Sequence, residues 1–172
     1  MKRNLKSAEE ILRRYKRGDK DFRGVTVEAE DLSKQRLVGV MFEGAILMDC
    51  NFEKSILRGA NFSAANLRGA NLRGADLSKA NLKGADFRGA ILRNVNLSGA
   101  DLRWTNLEGV NLSGSNISGA NFDGANLKNA NLQGTDPGKW WWKANLEEAK
   151  LDGAILPNGT VFGQVATPRP DK

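Results

Sequence analysis

Catalytic chemistry has little to work with in this sequence. Histidine is absent, so the side chain most used for proton transfer near neutral pH and for metal ligation is missing, and a Ser-His-Asp triad is excluded. One cysteine, Cys50, cannot form a disulfide within the chain, and no spacing suits a metal site. Asp76, Asp86 and Asp101 recur at a position that asparagine fills elsewhere, so nothing pairs two carboxylates for acid–base work. The glycines stand singly at intervals of five and make no phosphate-cradling loop. The chain reads as non-enzymatic, with neither cofactor nor metal expected. What remains is the chemistry of contact, carried by charge and by tryptophan.

A period of five organises the residues that must present those contacts. Central positions run Phe22, Val27, Leu32, Leu37, Phe42 and on at every fifth residue to Leu132, then resume at Leu146, Leu151 and Leu156. All are Leu, Phe, Ile or Val. Two residues before the centre the side chain is small, as in Ala60, Ala65, Ala70 and Ala75, and one before it stands Asn or Asp, as in Asn61, Asn66, Asn71 and Asp76. Two residues after it comes glycine in 15 of 26 repeats, with Asn94, Asn129 and Asn158 in the same place. On an α-helix a five-residue step would scatter the leucines by roughly 140°, and on a flat strand they would alternate faces. They share one interior only if the backbone bends once per pentapeptide. A type II turn needs φ > 0 at its third residue, which glycine supplies and asparagine tolerates. Four such bends close a coil of about 20 residues, and stacked coils pair at ~4.8 Å. The expected fold is an all-β solenoid, square in section.

The runs A-N-L-R-G, A-N-F-S-A and A-D-L-S-K, recurring from about Phe22 to Leu156, resemble the pentapeptide-repeat family, whose consensus is close to A-N/D-L-x-x. The resemblance implies a right-handed quadrilateral β-helix, here of about six to seven coils. Some members of that family bind DNA gyrase by imitating duplex DNA, so topoisomerase modulation by mimicry is the alternative function that the resemblance implies. A mimic must carry dense negative charge, since duplex DNA holds about one charge per 1.7 Å. Residues 21–172 carry 18 basic against 17 acidic side chains, and their middle is positive, which disfavours mimicry.

Three segments are expected. Residues 1–20 form a lead-in with a helix over 7–17, where Ser7 and Glu10 make a capping-box pattern and Gly18 supplies the stop. Ala8, Ile11, Leu12 and Tyr15 share one face, suited to a lid on the first coil. Residues 21–158 form the β-helix, with an insertion at about 134–143 where Thr135-Asp136-Pro137-Gly138 breaks the pattern. Residues 159–172 read as an irregular tail. No apolar run approaches the ~20 residues of a membrane span, and the start lacks the apolar stretch of a secretory signal; the expected location is the cytoplasm.

Two groups are candidate contact residues. Trp140, Trp141 and Trp142 follow one another between Lys139 and Lys143; they serve either as part of a cap or as an exposed surface, tryptophan being enriched at interaction hot spots. A basic belt arises because outward residues twenty apart stack, which pairs Lys83 with Arg103, Arg68 with Arg88, and Arg73 with Arg93. With the tryptophans placed off this belt, nucleic acid is not the expected partner. The reading is a rigid interaction scaffold for another protein, or for a second copy as a homodimer. Cys50, at a small inward position, reads as an inert buried thiol.

Overall fold

The computed structural model describes residues 7–137 and 144–163. The one helix among the described residues, α1 (Ala8–Lys16), lies where the sequence places it. Ser7 sits in extended backbone and its hydroxyl accepts the Glu10 N–H at 3.4 Å. The capping box is not completed, because the Glu10 carboxylate runs along the helix to Arg13 and Arg14 instead. Two longer tethers fix α1 to the rest of the chain. The Ala8 N–H, an orphan donor of the first turn, reaches Glu30 Oε2 at 2.9 Å, and the Tyr15 hydroxyl donates to the Val38 carbonyl at 2.9 Å. Ile11 is fully buried, and Leu12 and Tyr15 pack beside it against the core.

From Asp21 the chain winds as stacked coils joined by parallel pairing, almost always between residues twenty apart. Four columns result, and each marks a face. The first runs from Asp21 to Asn145, the second from Thr26 to Lys150, the third from Asp31 to Ile155 and the fourth from Arg36 to Asp136. They hold seven, seven, seven and six rungs, which is between six and seven coils of a right-handed quadrilateral β-helix.

One repeat shows why this sequence makes this coil. The Leu77 N–H donates to Asn96 in the coil above at 2.8 Å, and the Lys79 N–H to Ser98 at 2.9 Å. The Asp76 N–H points down to Ser55 at 2.9 Å, and the Ala80 N–H closes the corner on the Leu77 carbonyl at 3.0 Å. That leaves the Ser78 N–H, which Asp76 Oδ1 accepts at 3.0 Å. All five donors are satisfied. The Asn or Asp before each centre is therefore a corner acceptor, a role that Asn61, Asn71, Asn81 and Asp101 repeat.

Corner residues such as Asn94 and Asn129 hold φ of 57° and 56°, as expected of residues in the usual glycine place. Glycine also makes room there: a Cβ on Gly114 would come within 2.3 Å of Asn94 Oδ1, and one on Gly124 within 2.4 Å of Trp104 Cδ1. Asn158 departs from this expectation. Positive φ passes instead to Gly159, at 83°, because the chain there makes a hairpin rather than a corner.

The interior is leucine and alanine above a phenylalanine cluster. Phe22, Phe42 and Phe62 follow one another up the first face with ring centroids 5.7 and 5.4 Å apart. Phe52 reaches across from the third face to meet Phe42 and Phe62 at 6.4 and 6.0 Å. Two small polar groups are built into corners of the coil below. Ser115 accepts the Val95 N–H at 3.0 Å and donates to Leu92 at 2.9 Å; the Cys50 thiol donates to Val27 at 3.3 Å. Burial pushes the Cys50 thiol pKa up, which keeps it in its unreactive form.

The upper end differs from the sequence reading. The pattern does not fail at Asp136, which pairs with Asn116 and places Pro137 at a repeat centre. Proline has no N–H to send upward, and the fourth column stops there. Pairing resumes at Asn145 with Asn121, four residues beyond the usual spacing. Of the expected tail 159–172, residues 159–163 are described and form an ordered reversal; the rest lie outside the described residues. The Leu156 N–H donates to Thr160 at 2.7 Å and the Phe162 N–H to Ala154 at 2.8 Å, so the chain folds back antiparallel and occupies groups a further coil would have used.

Candidate functional site

Stacking at twenty residues brings the belt cations to three different edges of the square rather than to one surface. Lys83 and Arg103 lie on the edge joining the first and second faces, Arg68 and Arg88 on the next, and Arg73 and Arg93 on the edge joining the third and fourth. Two of them are spoken for within their own repeat. Arg88 grips Asp86 with contacts of 3.0 and 2.6 Å, and Arg103 grips Asp101 at 2.9 and 2.6 Å. Each arginine holds its partner's carboxyl pKa below the usual range. Among the described residues Arg68, Arg73, Lys83 and Arg93 make no ion pair.

The depressed Asp101 pKa gives a signed expectation. Its stabilisation is present above the unfolded carboxyl value of ~3.9 and is lost as pH falls through the folded one. Asp101→Asn keeps the Oδ1 acceptor for the Arg103 N–H (3.1 Å) but removes the charge. Wild type should exceed this variant by a few tenths of a kcal/mol at neutral pH, a surface-pair magnitude, and the gap should narrow as pH falls below the unfolded carboxyl value and close below the folded one. Thermal unfolding across an acid titration checks this; an unchanged gap would assign the difference to something other than the ion pair.

The expectation that tryptophan stands off the belt needs correction at Trp104. It occupies a glycine corner with φ of 57° and is 55 % exposed. Lys83 Nζ lies 4.4 Å from its ring centroid and the Arg103 guanidinium carbon 5.8 Å. Charge around it is balanced, with Asp101 and Asp123 acting on Arg103. Trp140, Trp141 and Trp142 lie outside the described residues.

The structure sorts charge in a way the sequence reading missed. On the fourth face and its two edges Lys34, Arg36, Lys54, Arg58, Arg73, Lys79 and Arg93 are all exposed, against three carboxylates, Glu53, Asp76 and Asp136. Their ion pairs are long: Arg58 to Asp76 at 3.8 Å and Lys54 to Glu53 at 3.7 Å. The opposite, second face with its edges has seven cations and nine carboxylates, among them Glu28, Glu43, Asp49 and Glu108. Helix α1 lies across the lower end, tethered to Glu30 before the third face and to Val38 after the fourth, with Lys16 and Arg17 exposed. Only Arg73 and Arg93 of the belt belong to the fourth-face side. The others were findable: Lys34 with Lys54 recur twenty apart in the glycine column, and Arg36 stands in the Asn/Asp column.

Among the described residues no group of acidic, cysteine or histidine side chains could hold a metal ion, and no helix is long and apolar enough to cross a membrane. The family model for pentapeptide repeats matches eight copies, over residues 28–63, 55–94 and 96–134. No curated protein matches the chain. Among solved structures it is similar to the pentapeptide repeat protein Rfr23 of the cyanobacterium Cyanothece 51142, with 24% identity over 84% of this chain and 99% of that one and a TM-score of 0.46. It is similar also to a pentapeptide repeat protein of the Arabidopsis thaliana thylakoid lumen, with 37% identity over 62% and 69% of the two chains and a TM-score of 0.33. A third is trypsin-treated QnrB1, a plasmid-mediated fluoroquinolone resistance protein, with 22% identity over 78% and 87% and a TM-score of 0.35.

Proposed function

The chain belongs to the pentapeptide-repeat family, and from that premise we propose that it is a non-enzymatic scaffold whose rigid outer surface holds another protein. The sorting of charge carries this reading. Bulky apolar side chains line the interior of every coil and the Asn/Asp column caps corners, so individuality resides in the outward columns, where seven exposed cations gather on one side. A surface already fixed by inter-coil hydrogen bonds loses little conformational freedom on binding, which favours its use as a platform. The proposal places the protein in the cytoplasm, where the lone thiol of Cys50 stays reduced. DNA mimicry remains disfavoured by charge, because even the more acidic side sets seven cations among its nine carboxylates.

Capture from cell extract tests the scaffold. We expect Arg58→Glu/Lys79→Glu/Arg93→Glu to lose a protein that wild type retains, while Arg68→Glu/Lys83→Glu keeps it. Arg88 and Arg103 are proposed as lesser contacts because each is already paired with an aspartate. The same capture with Trp140→Ala/Trp141→Ala/Trp142→Ala asks whether that run contributes, as we also propose. If wild type retains nothing beyond bare resin, or all variants retain the same set, the scaffold reading is wrong.

A further inference from the structure

We propose that the fourth face is a track for an acidic α-helix of a partner protein, laid parallel to the solenoid axis, with carboxylates on both its flanks and short side chains between them. This rests on the scaffold reading and names the chemistry of its partner. The cations of this side form two rows rather than a cluster. Successive coils contribute Lys34, Lys54, Arg73 and Arg93 to one edge, one cation per coil. On the opposite edge of the face Arg58 and Lys79 make a second row in successive coils, with Arg36 on the centre line of the coil below them. Between the rows, above Arg36, the centre line carries only the half-buried side chains of Ile56, Asp76 and Asn96.

Register selects the occupant. Coils repeat at ~4.8 Å, and an α-helix advances ~5.4 Å per turn. Carboxylates one turn apart therefore drift by only about 2 Å against cations over four coils, well within the reach of Lys and Arg side chains. Phosphates of one duplex strand advance ~3.4 Å each and lose step at once. Among the described residues the fourth face also lacks what other anionic partners would use. Asp76 and Asp136 lie on its centre line, and the exposed aromatic that stacking with single strands would need, Trp104, is on the far side. The other large exposed apolar side chains among the described residues are Ile46, Ile91 and Phe162, on the second face, the third face and the terminal hairpin, so no described side chain of the fourth face is suited to enter a membrane.

Fluorescence anisotropy with the full chain tests this, using a labelled helix-forming peptide with glutamates on two flanks and alanines between. Controls are the same residues scrambled so that glutamates surround the helix, a short DNA duplex, and phosphatidylglycerol vesicles. The flanked peptide should bind at least tenfold tighter than the scrambled one. Lys54→Gln/Arg73→Gln and Arg58→Gln/Lys79→Gln, one pair from each row, should each weaken it by about tenfold, while Arg68→Gln/Lys83→Gln should not. Equal binding of the scrambled peptide, preference for duplex or vesicles, or indifference to either row would overturn the helix. If no peptide binds yet extract capture still depends on Arg58, Lys79 and Arg93, the helix proposal fails and the scaffold stands; if capture is indifferent as well, both fail.

Discussion

Phe42→Ala is expected to lower the unfolding free energy by about 3–5 kcal/mol, the range for deleting a buried phenylalanine. Phe42 is fully buried and touches three rings at once, Phe22 below, Phe62 above and Phe52 from the opposite face. Alanine there removes the middle of a column whose neighbours are pinned by backbone ladders and cannot close the gap. Phe122, equally buried, has no ring partner among the described residues, so Phe122→Ala isolates the aromatic share, about 0.5–1.5 kcal/mol per ring pair. Because contacts run only between adjacent coils, the lower coils should open first, and hydrogen exchange will show this better than a single melting temperature. A loss below about 1.5 kcal/mol, inside the range of milder core changes, would mean that the lower coils repack freely.

The second large effect concerns the foot of the solenoid. Ile11→Asp places a charge at a fully buried position between α1 and the first coil, and undocking is the least costly response. Three or more kcal/mol of lid stabilisation should disappear, because the hydrogen bonds from Ala8 to Glu30 and from Tyr15 to Val38 do not replace the lost apolar contact. The first coil has no coil beneath it, so undocking exposes an unpaired sheet edge, which templates association. Light scattering across a dilution series should show species larger than wild type forms at the same concentration. An Ile11→Asp protein with wild-type mass and protected first-coil amides would show that the helix is not a lid.

The fold was legible because a five-residue period has one economical solution, and Leu77 with Asp76 and Ala80 reads the same in sequence as in space. The lid was legible too, from Ser7 and the apolar set Ala8, Ile11, Leu12 and Tyr15. Other features depend on what lies one coil away. Pro137 looks like a break, yet the Asn116 rung below admits it. Asn158 looks like a corner residue, but with no coil above, the chain reverses through Gly159 instead. The site was half legible. Following only the residue after each centre finds Arg73 and Arg93 but scatters the belt over three edges, and it overlooks Lys34, Arg36, Lys54 and Lys79 in the other outward columns. Charge on a solenoid has to be summed across columns that are adjacent in space and distant in the chain.

The identical coil-to-coil hydrogen bonding at each level also makes the molecule extensible. A copied stretch of twenty residues such as 81–100 would return the chain to the same face with the ladder between coils continued, lifting everything above it by about 4.8 Å. Whatever docks near the lid and whatever meets the terminal hairpin are thus held apart by a distance that duplication can lengthen in even steps.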